Sequence, residues 1–236
     1  GRPPSVPVRM STERRLPAGR SRGLVARAGT MPAQPAARMA ALLRQPESVH
    51  FARSKMRLFI ATSFAPEILR SLNERVTSLK PKLPRASWVR PETQHLTFAF
   101  LGEQDESLVS RLQIQCGKSF EASLRGCGFF PNRRHARVGW VGAEPAEGFV
   151  MLAGRVRSAV SAAGVEIDQN EFRPHLTLMR IRDHWPPLAI DTFENALRDY
   201  RSAPFAIDEI TLYVSRLSPG GAVHTPLRQF PLGLPA

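Results

Sequence analysis

Only two cysteines, Cys116 and Cys127, occur in 236 residues. They show neither paired metal-ligand spacing nor the density of a cross-linked secreted domain, which suits a reducing, cytoplasmic setting. Both read as packing residues. Long apolar runs are missing too. None approaches the about eighteen residues that a membrane-spanning helix requires, so any membrane role would be peripheral. Acidic residues are scarce: 20 Asp and Glu face 33 Lys and Arg, a formal charge of +13. Such an excess suggests nucleic acid until it is located along the chain. Residues 1–55 hold eleven basic residues against Glu13 and Glu47, a local +9, which leaves +4 for residues 56–236.

The basic stretch 1–55 is rich in Arg, Pro and Ala and has no sustained period. It lacks the apolar surface to offset its ordering entropy and is expected to be a disordered extension. Three meanings stay open: an arm for RNA phosphates, an Arg-rich targeting segment, or an over-long start. The last is favoured because Met56 directly opens the first strand-like segment, with Met10, Met31 and Met39 as other possible starts. Residues 56–236, of ordinary hydrophobic content, form an enzyme-sized unit.

MRLFIATSF, Met56 to Phe64, reads as a buried strand. Pro66 then opens a helix carrying Ile68, Leu69, Leu72, Val76 and Leu79, which Pro81 and Pro84 end. After a turn at Pro91-Glu92 comes the strand HLTFAFLG, His95 to Gly102. Leu108, Leu112, Cys116, Phe120 and Leu124 outline a second amphipathic helix, and ARVGWVGA, Ala136 to Ala143, a strand. The pattern then recurs. A helix is expected from about Pro145 to Ala163, then the strand HLTLMRIR, His175 to Arg182, and a helix near Ile190 to Tyr200. FAIDEITLYVSRL, Phe205 to Leu217, and VHTPLRQFPL, Val223 to Leu232, make an antiparallel hairpin through SPGG. Two similar halves, each with one His-Leu-Thr strand, suggest an internal duplication.

Side chains two apart on a strand share a face at about 6.6–6.8 Å. His95 therefore points with Thr97, and His175 with Thr177. If the polar faces meet across one cleft, two imidazoles and two hydroxyls surround one ligand. One imidazole can accept a proton while the other donates one, and the threonines can hold phosphate oxygens. In-line displacement at a phosphodiester fits best. A single such pair would read as a hydrogen-bonded structural feature; the repeat favours catalysis. His50, His135, His184 and His224 have no such counterpart and read as surface or structural. A metal site is disfavoured, since threonine is a poor ligand and no Asp, Glu or Cys accompanies either strand histidine.

The segments MRLFIATSFAPEI, WVRPETQHLTFAFLGE, GCGFFPNRRHARVGWVG, FRPHLTLMR and QFPL, in this order and at this spacing, resemble the RNA 2′,3′-cyclic phosphodiesterases. This is the 2′-5′ RNA ligase family of the two-histidine phosphoesterase superfamily, and the likeness runs from about Met56 to Leu232. It implies an α+β, bilobal fold of duplicated β-α-β-α-β halves, with antiparallel sheets facing a central cleft. The implied reaction is hydrolysis of a terminal 2′,3′-cyclic phosphate on RNA to a 2′-phosphate, with no metal or other cofactor and a monomer as the working unit. His95 would be proton donor and His175 acceptor, labels that pseudo-symmetry makes easy to exchange. Thr97, Thr177 and Arg180 would bind substrate.

Arg180 stands three places beyond Thr177 and by simple alternation faces away from it, unless the strand twists or ends. It is either a phosphate contact or an ion-pair partner. Arg90, Arg173 and Arg182 border the motifs as solvated charges or RNA contacts, and Phe64 and Trp88 as core residues or base-stacking platforms. Met179, where relatives often carry a small residue, could narrow the cleft. Other substrates stay open: 2′-5′ linked oligonucleotides, small cyclic nucleotides, ADP-ribose cyclic phosphate, or reverse ligation of RNA ends. From another class, the chain could be a non-catalytic RNA-binding module driven by its tail.

Overall fold

The computed structural model describes residues 55–168, 170–219 and 221–234. Apart from Lys55, the extension expected over 1–55 lies outside the described residues, as does His50. The elements are β1 (Lys55–Ser63), α1 (Pro66–Leu79), β2 (Ser87–Trp88), β3 (His95–Asp105), α2 (Ser107–Arg111), β4 (Phe120–Phe130) and β5 (Val138–Glu144). There follow α3 (Ala146–Ala162), β6 (His175–Arg180), α4 (Pro187–Leu197), β7 (Phe205–Ile207), β8 (Glu209–Ser218) and β9 (Gly221–Pro231).

The strands pair antiparallel in the order β7-β4-β5-β6-β3-β1-β8-β9, with β2 added beside the end of β6. The two facing sheets that the resemblance implied are thus one hydrogen-bonded array, joined at its middle by a single pair, Leu96 with Leu176. Leu58, Phe59, Ile60 and Ala61 are all buried, as a strand covered on both faces requires. Helices cover one face. Leu69, Leu72, Val76 and Leu79 of α1 are buried, and Pro66 occupies its first turn as expected. In α3, Phe149, Leu152, Ala153, Val156 and Val160 form the buried stripe. Phe98 of β3 stacks on Phe149 at 6.4 Å and on Phe172 at 5.9 Å, so its side of β3 is the helix side.

Not every expected element forms. The helix read through Leu108 to Leu124 stops at Arg111, and Phe120 and Leu124 belong to β4. Its reason is periodicity: Leu112, Ile114 and Cys116 are buried while Gln113 and Gln115 are exposed, a spacing of two, and Gly117 then takes φ +87. The run from Phe205 divides at Asp208 into β7 and β8, and the last helix lies earlier than expected, with Pro187 at its start. The β8–β9 hairpin forms as expected.

Each His-Leu-Thr strand is bulged immediately after its threonine. In β3, Thr97 pairs with Ala61 but Ala99 with Ile60, leaving Phe98 extra. In β6, Thr177 pairs with Trp140 but Met179 with Gly139, leaving Leu178 extra. A bulge turns two successive side chains to one side. Phe98 and Ala99 are accordingly both buried, as are Leu178 and Met179. The next residues, Phe100 and Arg180, emerge exposed on the threonine face.

Candidate active site

Leu96 and Leu176 are fully buried partners on the helix side of the central seam. Their neighbours therefore project from the open face. Carried one residue each way, this register sets His95 opposite Thr177 and Thr97 opposite His175. The two histidines then lie on the diagonal of the square, about 7–8 Å apart at the backbone. All four motif side chains are half-buried, consistent with a lined cleft.

Both imidazoles are oriented in the same way. His95 Nδ1 lies 2.7 Å from the carbonyl of Thr93, and His175 Nδ1 lies 2.7 Å from that of Arg173. A carbonyl only accepts, so Nδ1–H is the donor in each case and Nε2 is left for chemistry. Each ring also rests on aromatic neighbours. His95 meets Phe59 at 5.0 Å and, nearly perpendicular, His224 at 5.1 Å. His175 meets Phe130 edge-on at 4.8 Å and Trp140 at 6.4 Å.

Burial lowers the proton affinity of both. For His95 the pKa falls from 6.5 to about 4: desolvation dominates, the Thr93 carbonyl opposes it, and the charges of His224, Arg180 and His175 lower it further. His175 is lowered by desolvation against the opposing carbonyl of Arg173. The sequence suggested one neutral and one charged imidazole at a common pH. Both instead favour the neutral form, because little solvent reaches either ring and, for His95, the nearby charges are positive.

Arg180 does join this face. The bulge at Leu178 reverses the alternation that would have turned it away, and its charge acts on His95. Met179 does not line the cleft: it is fully buried on the helix side, where a Cβ on Gly139 would stand 2.5 Å from its Cε. Arg173 is paired with Glu171 at 2.9 Å, and the exposed Arg182 offers its carbonyl to Arg137. Arg90 is exposed, and its carbonyl accepts from Thr93. Phe64 packs against Phe205 at 5.3 Å, and Trp88 lies under the Lys80 ammonium at 5.4 Å; both rings are partly buried against the core. Cys116 and Cys127 are free thiols whose pKa values burial raises to about 11.

His135 and His184 are exposed, as the surface reading expected; His224 is not. In a flat sheet β9 would lie about 14 Å from β3, three strand spacings of roughly 4.8 Å. Ring contact with His95 therefore records a strongly curled sheet, to which an extra residue in β9 beside Pro226 contributes. Phe59, Phe130 and Trp140 were also missed, since only pairing brings them to the histidines. Among the described residues, no helix is long and apolar enough to cross a membrane.

The family model of the 2′-5′ RNA ligase superfamily matches residues 63–218. Curated proteins named RNA 2′,3′-cyclic phosphodiesterase are similar over most of the chain. That of Thermus thermophilus is 32% identical over 191 residues, 75% of this chain and 90% of the relative. That of Thermotoga maritima is 30% identical over 178 residues, 72% and 91% respectively. Among solved structures, TT0787 of Thermus thermophilus aligns with TM-score 0.59 and 30% identity, covering 76% of this chain and 99% of the other. Escherichia coli LigT in apo form aligns with TM-score 0.57 and 27% identity, covering 76% and 98%. The α+β architecture and its large antiparallel sheet accord with these matches, and the chain belongs to the 2′-5′ RNA ligase superfamily.

Proposed function

We propose that this protein hydrolyses the terminal 2′,3′-cyclic phosphate of RNA to a 2′-phosphomonoester, using His95 and His175 as its proton-transfer pair. The observation that carries this reading is the matched construction of the two strands. Each presents a histidine anchored by the carbonyl two residues earlier, a threonine beside it, and a bulge directly after the threonine. The same matching supports two duplicated halves forming the two lobes of the cleft, and since both histidines belong to one chain, the working unit in this reading is a monomer.

Water attacks the phosphorus opposite the 3′ oxygen. Its proton passes to Nε2 of a neutral His175, the P–O3′ bond breaks, and His95 gives its proton to the departing 3′ oxygen. Each transfer contributes about 10²–10⁴-fold. Thr97, Thr177 and Arg180 hold the non-bridging oxygens and balance their charge. Since burial and neighbouring positive charge hold His95 neutral, the anionic phosphodiester itself must raise its proton affinity to about working pH. Substrate thereby charges its own acid.

The chemistry uses two imidazoles and no metal. The test is incubation of the protein with RNA bearing a 2′,3′-cyclic end in EDTA, with identification of the phosphate isomer formed. A 2′-phosphate in wild type, and losses of at least about 10³-fold in His95→Ala and His175→Ala, are expected. Undiminished turnover in either variant rejects the assignment.

A further inference from the structure

His224 stands beside the phosphate-handling groups without belonging to either motif. Its ring packs perpendicular to His95 at 5.1 Å and edge-on to Phe59 at 4.9 Å, while Tyr213 stacks on the same Phe59 at 5.3 Å. A phenyl ring would fill such an aromatic nest. The imidazole instead buries its Nδ1 with no hydrogen-bond partner. A buried polar atom without a partner is destabilising. A buried orphan N–H is rarer than a buried orphan acceptor, so the ring proton belongs on Nε2. His224 is therefore a neutral donor whose working nitrogen has no assigned task.

Its position says which part of a ligand it meets. Strand order places β6 and β9 on opposite sides of β3. The threonines and His175 hold phosphate at the β3–β6 seam, whereas His224 reaches His95 from the β9 side. A group touching both His95 and His224 extends away from the phosphate, which in a terminal cyclic phosphate is the nucleoside. Resting on the phosphodiesterase reading above, we propose that His224 is a specificity-determining residue that donates a hydrogen bond from Nε2 to an acceptor of the terminal nucleoside.

The test compares wild type, His224→Phe and His224→Gln by calorimetric titration with 2′-AMP and, separately, inorganic phosphate. Phenylalanine keeps the packing and removes the donor; glutamine restores an N–H donor. Weakening of 2′-AMP by about tenfold in the Phe variant, recovery to within about threefold in the Gln variant, and phosphate affinity unchanged within about twofold are expected. The Phe variant should melt no lower than wild type, because the orphaned nitrogen is gone. Equal 2′-AMP affinity in wild type and the Phe variant overturns the proposal. So does absence of 2′-AMP binding to wild type, equal loss in both variants, or a matching loss for phosphate, which would mean that His224 acts only through the phosphate site. Wild-type turnover of cyclic-ended RNA is measured in parallel. Its absence would overturn the phosphodiesterase reading, while the binding comparison still decides the role of His224.

Discussion

Acidification should destabilise this protein through His95, by an amount its surroundings set. Burial lowers that imidazole from 6.5 to about 4. Between these values the unfolded chain binds a proton that the native protein refuses, so stability rises with pH there and is lost as pH falls. At 1.36 kcal/mol per pH unit, the complete loss is about 3 kcal/mol. That is a large share of the roughly 5–15 kcal/mol available to a folded domain. His175 and His224 are lowered in the same direction and add their own acid sensitivity, so the contribution of His95 must be isolated by difference. In His95→Gln the amide can still donate to the Thr93 carbonyl but does not titrate. Urea unfolding followed by circular dichroism, from about pH 7.5 to about pH 4.5, gives ΔG for both proteins. Wild type should lose about 2.5 kcal/mol more than the variant over this range, which stops short of the native pKa. Parallel curves, within about 0.5 kcal/mol, would refute the claim that His95 is held neutral by its burial.

Replacing Thr97 or Thr177 by Val preserves shape and removes a donor to an anionic oxygen, worth about 1.5–3 kcal/mol. Steady-state kinetics on cyclic-ended RNA should show kcat/KM lowered about 10–100-fold for each, with unchanged unfolding midpoints. Phe98→Ala opens a void against Phe149 and Phe172 on the helix side of β3 and should destabilise by about 3–5 kcal/mol in urea titration, whatever its effect on turnover.

The sequence revealed what depends on local spacing and hid what depends on pairing. Alternation within His95-Leu96-Thr97 and His175-Leu176-Thr177 was enough to set imidazoles and hydroxyls on one face, and that face is where they stand. Arg180 was ambiguous because a one-residue bulge cannot be read from composition: Leu178 and Met179 are both apolar, and either could have continued the alternation. Met179 was misjudged for the same reason. The stripe from Leu108 to Leu124 fits a helical period and a strand period alike at several positions. Gly117 and the alternating glutamines decide between them only once burial is known. His224 was beyond local reasoning, since nothing near it in the chain announces a meeting with His95 across two intervening strands. The repeated His-Leu-Thr spacing was legible in the sequence, whereas the aromatic neighbours of the two rings came from tertiary structure.

The two histidines take their orientation from main-chain oxygens, at Thr93 and at Arg173, rather than from carboxylate side chains. An Asp or Glu partner can be lost in a single substitution, and its own ionisation would make ring geometry depend on acidity. A peptide oxygen can be neither mutated away nor protonated near neutral pH. The aim of both imidazoles is thus insulated from sequence drift at positions 93 and 173, so long as the local backbone path persists.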